Sequence, residues 1–396
     1  MTTGEPVAPW GARRTGWRAR LAQGSTLQRL DWPLLGAALA LSVLGAVLVY
    51  SATRGRAQLT GGNPYAFLQR HIVNTVIGIA LATVAVRVGP RRLRDLTPVL
   101  YGITLLMVLL VLTPFGATIN GSRRWIIVAG MSIQPAEFVK VTIVLAMALL
   151  LAAKVDAGDR WHPDVRSVVV ALAVAGVPAL LVLLTPDLGQ FMGIGVIVLV
   201  VLLASGASAR WVAVLLAAGV LGAVAVWQLH LLDQYQVNRF AAFADPALDP
   251  SGVGYNTSQA RIAIGAGGLL GQGLFHGAQT TGQFVPEQQT DFVFSVAGEE
   301  LGFVGSLALI LLLGVVLWRA LRIAHACPDL YGTVVAAGIV AWLAFQAFEN
   351  IGMNLGIMPV TGLPLPFVSY GGSSMFAGWF AVGVLQGIRL QRPPAS

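Results

Sequence analysis

Stretches of mostly apolar residues, each close to the length of one bilayer crossing, recur from one end of the sequence to the other. They run at 33–50, 72–88, 96–112, 135–153, 167–184, 188–204, 211–229, 303–317, 332–348 and 373–388. A helix of about 20 such residues crosses the ~30 Å of hydrocarbon in a bilayer, and helix is the form in which a single segment satisfies its own backbone there. The expected fold is therefore an all-α integral membrane protein with about ten transmembrane helices. The fifth and sixth runs touch at Thr185-Pro186-Asp187. One continuous helix over 167–204 would be about 57 Å long at ~1.5 Å per residue, so the pair is read as a hairpin turning at Pro186-Asp187.

Composition agrees with that reading. Of the 396 residues, 56% are hydrophobic and 11% charged, against about 25% charged in a soluble domain. The 46 glycines suit helices that approach one another closely in lipid. A net charge of +8 raises the question of nucleic acid. However, the lysines are Lys140 and Lys154 alone, and the arginines stand in short clusters between apolar runs. That is the pattern of membrane orientation rather than of a phosphate-binding face, so no nucleic-acid partner is expected. Cys327 is the single cysteine, which excludes an intramolecular disulfide and a cysteine-based zinc site. Residues 1–30 carry no apolar run of their own, and the first run is long enough to persist as a span, so no cleavable leader is expected.

Orientation follows from the arginines. Placing the N-terminus in the cytoplasm gathers most basic residues on the inner side, among them Arg13, Arg14, Arg91, Arg92, Arg94, Arg319 and Arg322. The chain then divides into a basic cytoplasmic tail at 1–30, a single polytopic membrane domain at 31–390 and a cytoplasmic tail at 391–396. The membrane domain carries a large extracytoplasmic loop, 230–299, between the seventh and eighth spans. Polar material collects outside, in 113–134, 230–299 and 349–372. No repeat of fixed period is present, so an inverted-repeat transporter gains no support.

Several residues in those outer segments carry candidate chemistry. Glu137 and Lys140 lie three apart at the start of the fourth span, on one helical face. They form either a structural ion pair or the cationic wall of a site for an anion. Arg123-Arg124-Trp125 is either an interfacial anchor or a clamp for a diphosphate, whose oxygens match guanidinium forks. In Val285-Pro286-Glu287-Gln288-Gln289-Thr290-Asp291-Phe292, Pro286 is expected to open a helix. Asp291 would then lie near a helix N-terminus, where the dipole favours its ionised form. It is either a helix-start acid or a general base. Glu299 and Glu300 brace that helix or line a cavity. The glycines from Gly265 to Gly277 lack the context of a nucleotide loop and suit close backbone packing or a lid. Tyr255–Ile264 is read as a short surface helix carrying Arg261. The proline-rich stretch from Met358 to Ser374, around Ser369-Tyr370, is expected to close over the same outer cavity, because irregular backbone at membrane depth needs protein or water to satisfy it.

Taken together, these strings resemble the SEDS family of bacterial shape, elongation and division proteins. The resemblance is carried by Gln134-Pro135-Ala136-Glu137-Phe138-Val139-Lys140, by Thr185-Pro186-Asp187-Leu188-Gly189-Gln190, and by Thr290-Asp291-Phe292 with Gly298-Glu299-Glu300-Leu301-Gly302. Leu363-Pro364-Leu365-Pro366-Phe367-Val368-Ser369-Tyr370-Gly371-Gly372-Ser373-Ser374 completes it, and the match extends over roughly residues 30–390. Asn350-Ile351-Gly352-Met353 and Met358-Pro359-Val360-Thr361-Gly362 look more like the elongation branch than the division branch.

The resemblance implies a glycosyltransferase of the bacterial cytoplasmic membrane that polymerises lipid II at the outer face and releases undecaprenyl diphosphate. It also implies a class B penicillin-binding protein as partner, supplying the transpeptidase this chain lacks. The family's catalytic aspartate falls on Asp291, its Glu/Lys pair on Glu137 and Lys140, and its outer-turn aspartate on Asp187. Gln288-Gln289 and Asn256 depart from the residues usual there. Arg124, Trp125, Gln190, Arg239, Arg261, Glu287, Glu300, Ser369 and Tyr370 complete the expected substrate contacts, beside lipid II and the surrounding membrane lipids. No cofactor is required by the sequence, although a divalent cation could share the charge of the diphosphate. A lipid II flippase and a non-enzymatic scaffold for the penicillin-binding protein are the rival classes. The acids concentrated outside favour the enzyme over the flippase.

Overall fold

The computed structural model describes residues 26–391, apart from 120–121, 129, 186, 231–233, 246–247 and 250–251. The tails expected at 1–30 and 391–396 thus lie mostly outside the described residues. The main elements are α1 (Trp32–Thr53), α2 (Ala66–Leu112), β1 (Ala117–Ile119), β2 (Ser122–Val128), β3 (Met131–Ile133), α3 (Pro135–Asp156), α4 (Val165–Leu184) and α5 (Leu188–Ala204). They continue with α6 (Ala209–Gln228), α7 (Gln234–Ala244), α8 (Val253–Gly267), α9 (Val293–His325), α10 (Leu330–Leu355) and α11 (Gly372–Leu390).

Among the described residues, seven helices are long and apolar enough to cross a membrane. One of them, α2, has 47 residues and would extend about 70 Å at ~1.5 Å per residue, twice the hydrocarbon thickness. It breaks at Gly89 (φ 72, ψ 161), a backbone conformation open to glycine alone, and Pro90 follows. Counting both halves of α2 and adding the shorter α5 and α11 gives the ten spans read from the sequence.

Side-chain capping explains where several helices start. Asp31, Asp164, Asp187 and Asp329 accept backbone N–H groups at the first turns of α1, α4, α5 and α10. Each satisfies a donor that would otherwise be orphaned at a helix end. Asp187 therefore accounts for the α4–α5 hairpin. Gly356, left-handed at φ 76, ends α10.

The bundle is organised around α3 and α10, whose most apolar windows are two thirds buried. Val139, Ile143 and Met147 of α3 share one core with Val334, Ile339 and Trp342 of α10, and with Leu41 of α1 and Leu385 of α11. Close approach is set by glycine. A Cβ at Gly383 would lie 2.4 Å from the Ala82 carbonyl oxygen of α2, and one at Gly45 would lie 2.4 Å from that of Val368. By contrast, α6 buries none of its residues, and Val214, Val220 and Leu221 face outward, as suits a helix bathed in lipid.

Because successive spans alternate in direction, two ends result. At one end, the buried Asp31 pairs with Arg319 at 2.7 Å and Arg389 at 2.9 Å, tying α1, α9 and α11 together. The other end holds the sheet, α7, α8 and the approach to α9. Segment 113–134, expected as a plain loop, is instead a three-stranded antiparallel sheet in the order β1-β2-β3. A second departure concerns Pro286, which opens no helix. Glu287 follows it at φ 50, the carbonyl of Glu287 accepts the N–H groups of Thr290, Asp291 and Phe292, and α9 starts only at Val293.

The glycine-rich stretch proves to be a backbone contact. A Cβ at Gly267 would lie 2.0 Å from the Gly298 oxygen, and one at Gly271 2.1 Å from the Glu300 oxygen. Gly302 (φ 67) breaks α9 where it meets that stretch. Arg261 sits on α8, a longer helix than the one expected over Tyr255–Ile264.

Candidate active site

At the end opposite Asp31, three polar layers are stacked between α3, α5, α9 and α10. The deepest contains the Glu137–Lys140 pair. Pro135 opens α3, which places Glu137 and Lys140 one turn apart and facing inward. Lys140 Nζ lies 2.9 Å from Glu137 Oε2, donates to Gln346 Oε1 at 2.9 Å and sits 5.0 Å above the Trp342 ring. Gln190 Nε2 donates to Glu137 Oε1. Both ions are 1% exposed, so every Lys140 donor direction faces protein and the ammonium is not open to a ligand.

The middle layer is centred on Asp187. Its carboxylate accepts from Gln134 Nε2 at 2.8 Å, pairs with Arg124 Nη1 at 3.2 Å and caps α5 through Gln190 N. Arg124 belongs to β2, so the sheet delivers this guanidinium over the α5 N-terminus. Its Nε is buried without a partner. A buried donor without a partner costs free energy and is a ready contact for an incoming acceptor. Trp125 lies on the same strand opposite Ala117, half-buried.

Asp291 forms the outer layer. Its backbone carbonyl accepts from Asn350 Nδ2 at 2.9 Å and Asn354 Nδ2 at 3.1 Å. Asn350 also donates to the Leu363 carbonyl at 2.8 Å, and Asn354 Oδ1 accepts the Ser295 N–H at 3.1 Å. The backbone of the acid is thereby fixed from α10, and the residue as a whole is half-buried. Burial pushes the Asp291 carboxyl up to about 6, the nearby Glu287 carboxylate adds to that, and Arg124 and Arg239 pull the other way. The helix dipole therefore does not govern this group, contrary to the expectation from sequence. Desolvation and a like charge outweigh it.

The remaining expected contacts take two kinds of place. Arg239 of α7 and Arg261 of α8 line one pocket of about 140 Å³ with Thr257 and Met358. Glu287 Oε2 accepts from Thr290 Oγ1 and Gln289 Nε2, each at 3.2 Å. Ser369, Tyr370 and Glu300 do structural work. Ser369 Oγ donates to the Thr290 carbonyl at 2.5 Å and accepts from Leu365 N at 2.8 Å. Tyr370 N donates to the Gln289 carbonyl at 2.8 Å, and its ring packs 4.8 Å from that of Phe67. Glu300 accepts from Ser51 Oγ at 2.5 Å, and Glu299 accepts from Gln279 N, Thr280 N and Thr280 Oγ1. The proline-rich segment thus holds the approach to Asp291 in place. Gln134, Gln346, Asn350 and Asn354 were missed. Three of them form a stripe at four-residue spacing inside an apolar span, a signal the sequence did offer. Among the described residues, no three His, Cys, Asp or Glu side chains gather as a metal site would require.

A family model described as "Cell cycle protein", for FtsW, RodA and SpoVE, matches residues 32–393. "Stage V sporulation protein E" of Bacillus subtilis is 36% identical over 349 residues, covering 88% of this chain and 93% of that protein. "Peptidoglycan glycosyltransferase MrdB" of Escherichia coli is 36% identical over 365 residues, covering 92% and 94%. Among solved structures, the rod shape determining protein RodA of Thermus thermophilus superposes with a TM-score of 0.65 at 32% identity, covering 91% of this chain and 96% of that one. A chain from a structure described as "Structural coordination of polymerization and crosslinking by a peptidoglycan synthase complex" gives 0.74 at 33% identity, covering 91% and 97%.

Proposed function

This chain belongs to the FtsW, RodA and SpoVE family, and from that premise we propose that it is a peptidoglycan glycosyltransferase acting on lipid II through Asp291. The observation that carries the mechanism is the carboxyl of a half-buried residue, its backbone fixed by two asparagines, with Arg124 and Arg239 among the charges acting on it. A group titrating near 6 is largely ionised at neutral pH and still basic enough to take a proton.

In the reaction, Asp291 receives the proton of the acceptor's GlcNAc 4-hydroxyl as that oxygen bonds to the anomeric carbon of the donor. The bond from that carbon to the diphosphate breaks, and its electron pair leaves with undecaprenyl diphosphate. One displacement inverts an α-linked donor to a β-linked product. Preorganised arginines stabilise the charge that develops on the leaving oxygen. A divalent ion bound with the substrate would share the charge of the diphosphate, since Mg²⁺ is held by one or two carboxylates together with substrate phosphates.

The site faces the extracytoplasmic side of the bacterial cytoplasmic membrane, with both termini cytoplasmic. The arginine distribution supports this orientation, and so does the polar end holding Asp291. A class B penicillin-binding protein is the partner. This rests on the likeness to a chain from a peptidoglycan synthase complex that coordinates polymerisation and crosslinking. The role is in elongation and cell shape. That is supported by the Asn350–Met353 and Met358–Gly362 strings and by the likeness to a rod shape determining protein, while the stage V sporulation protein and MrdB match at equal identity.

The test is reconstitution. Purified chain and partner in liposomes, supplied with labelled lipid II, should yield β-linked glycan and one undecaprenyl diphosphate per bond formed. Transbilayer movement of lipid II without polymer would instead identify a flippase.

A further inference from the structure

We propose that Glu349 is a positioning residue for the glycosyl transfer: by accepting the Thr361 hydroxyl, it holds Gly362 as the wall against which the Asp291 carboxylate is seated. The proposal rests on the reading of Asp291 as the base and names what keeps that base in place.

The acid itself raises the question. Glu349 lies in the apolar span α10 and is 0% exposed. Glu137 has Lys140 against it. Glu349 instead accepts from Thr361 Oγ1 at 2.9 Å through Oε1, while its Oε2 is buried without a hydrogen-bond partner. An acid inside a span is costly to enclose, and by that cost it points to a task. An apolar side chain would fill the same space without the cost of desolvating a carboxyl.

Thr361 is gripped from two sides. Glu349 of α10 takes its hydroxyl. Gly189, in the first turn of α5, comes so near that a Cβ there would lie 2.7 Å from Thr361 Cβ and 3.1 Å from Thr361 Oγ1. The threonine is itself buried, so its place is set jointly by the two helices that carry the inner polar layers.

The next residue meets the reacting group. Gly362 is left-handed at φ 77, and a Cβ on it would lie 3.2 Å from Asp291 Oδ2 and 3.9 Å from Asp291 Cγ. Glycine answers two demands here: a conformation that other residues rarely adopt, and room for the carboxylate oxygen. Beyond it, the Leu363 carbonyl accepts from Asn350 Nδ2 at 2.8 Å and the Pro364 carbonyl from Gln346 Nε2 at 2.7 Å. Gln346, Glu349 and Asn350 are three and four positions apart on one face of α10, and together they hold Thr361, Leu363 and Pro364. The division of labour is plain. Asn350 fixes the backbone of Asp291, whereas Glu349 fixes, through Thr361 and Gly362, what its carboxylate rests against. A general base must meet the reacting hydroxyl within hydrogen-bond reach, and a displacement of about 1 Å costs about a hundredfold in rate.

The experiment measures kcat and KM per folded molecule for the reconstituted protein and its partner with labelled lipid II. Thr361→Val removes the donor at nearly constant shape, and Glu349→Leu removes the acceptor while filling its space. Each should lower kcat about ten- to hundredfold with KM within about twofold of the parent. The double variant should be no slower than the slower single one, because both break one contact. Glu349→Gln, whose amide oxygen still accepts that hydroxyl, should recover most of the rate. In an Asp291→Asn background, Thr361→Val should change the residual rate by less than about twofold, since a residue acting through the base then has nothing left to position. A merely structural role predicts a cost that persists there. The proposal is overturned if Thr361→Val and Glu349→Leu keep the parent kcat, if Glu349→Gln is as slow as Glu349→Leu, or if the cost of Thr361→Val survives the loss of Asp291. Asp291→Asn at the parent rate removes the base and its positioning together. Asp291→Asn inactive, with Thr361→Val and Glu349→Leu unimpaired, removes the positioning alone.

Discussion

Neutralising both members of the buried Glu137–Lys140 pair should leave a protein close to the parent in stability, whereas neutralising either alone should not. At a separation of 2.9 Å and an effective dielectric of about 20, the attraction is about 6 kcal/mol, most of it cancelled by taking two ions out of solvent. Removing one partner leaves the other charge enclosed, which costs about 3–5 kcal/mol. Lys140→Met should be the worse single change, because Glu137 then keeps only the Gln190 amide as a polar contact. In Glu137→Gln the ammonium retains Gln346 and the Trp342 face. The double variant should lie within about 1–2 kcal/mol of the parent, far short of the sum of the two single costs in the cycle. Unfolding of the four proteins in micelles can be followed by tryptophan fluorescence, with Trp342 beside the pair as a local reporter. The same four should be assayed for polymerisation, and the double variant should remain active. Additive costs would refute the buried-pair reasoning. A stable but inactive double variant would show that Lys140 meets substrate despite its enclosure.

Other outcomes follow from the same geometry. The rate of polymerisation should fall about tenfold per pH unit below about pH 6 and level off above it, because only ionised Asp291 accepts the proton; a flat profile between pH 4 and 8 would contradict this. A carboxyl raised above its unfolded value makes the folded state less stable as pH rises through about 6. Asp291→Asn should therefore gain about 1–3 kcal/mol at pH 8, with the gain gone below about pH 4 in melts run across that range. Asn350→Ala removes donors to the Asp291 and Leu363 carbonyls. It should lower kcat about tenfold per folded molecule while leaving the acid limb in place, with the folded fraction read from its melt. Gly267→Ala puts a methyl 2.0 Å from the Gly298 oxygen and should destabilise by about 1–3 kcal/mol, read as a lower Tm with reduced polymer yield.

The membrane architecture was legible because a bilayer imposes one length on every crossing, and runs such as 135–153 and 167–184 meet it directly. Even the α4–α5 hairpin could be read, since an unbroken helix over 167–204 would overrun the bilayer. The sheet at 117–133 was not legible. Two of its strands have three residues each, too short for alternation to stand out. The start of α9 was misread because Pro286 signals a first turn, while the positive φ at Glu287, which a sequence does not announce, turns the chain aside.

For the site, Glu137 and Lys140 could be paired from local spacing alone. The union of Arg124 with Asp187 joins a strand to a helix cap 63 positions on, and only the packed bundle brings them together. The role of Asn350 and Asn354 in fixing the Asp291 backbone was likewise hidden. Their amides were visible in the sequence, but the carbonyl they hold lies on another segment. The raised affinity of Asp291 for its proton is a property of burial, which no spacing reveals.

The most direct trial of these assignments is the initial rate of lipid II consumption by the reconstituted pair, with Asp291 against Asn at that position, alongside a pull-down of the partner. Loss of the general base should lower the rate by about 10²–10⁴-fold while the partner still binds. A variant that polymerises at more than a tenth of the parent rate would show that another group takes the proton.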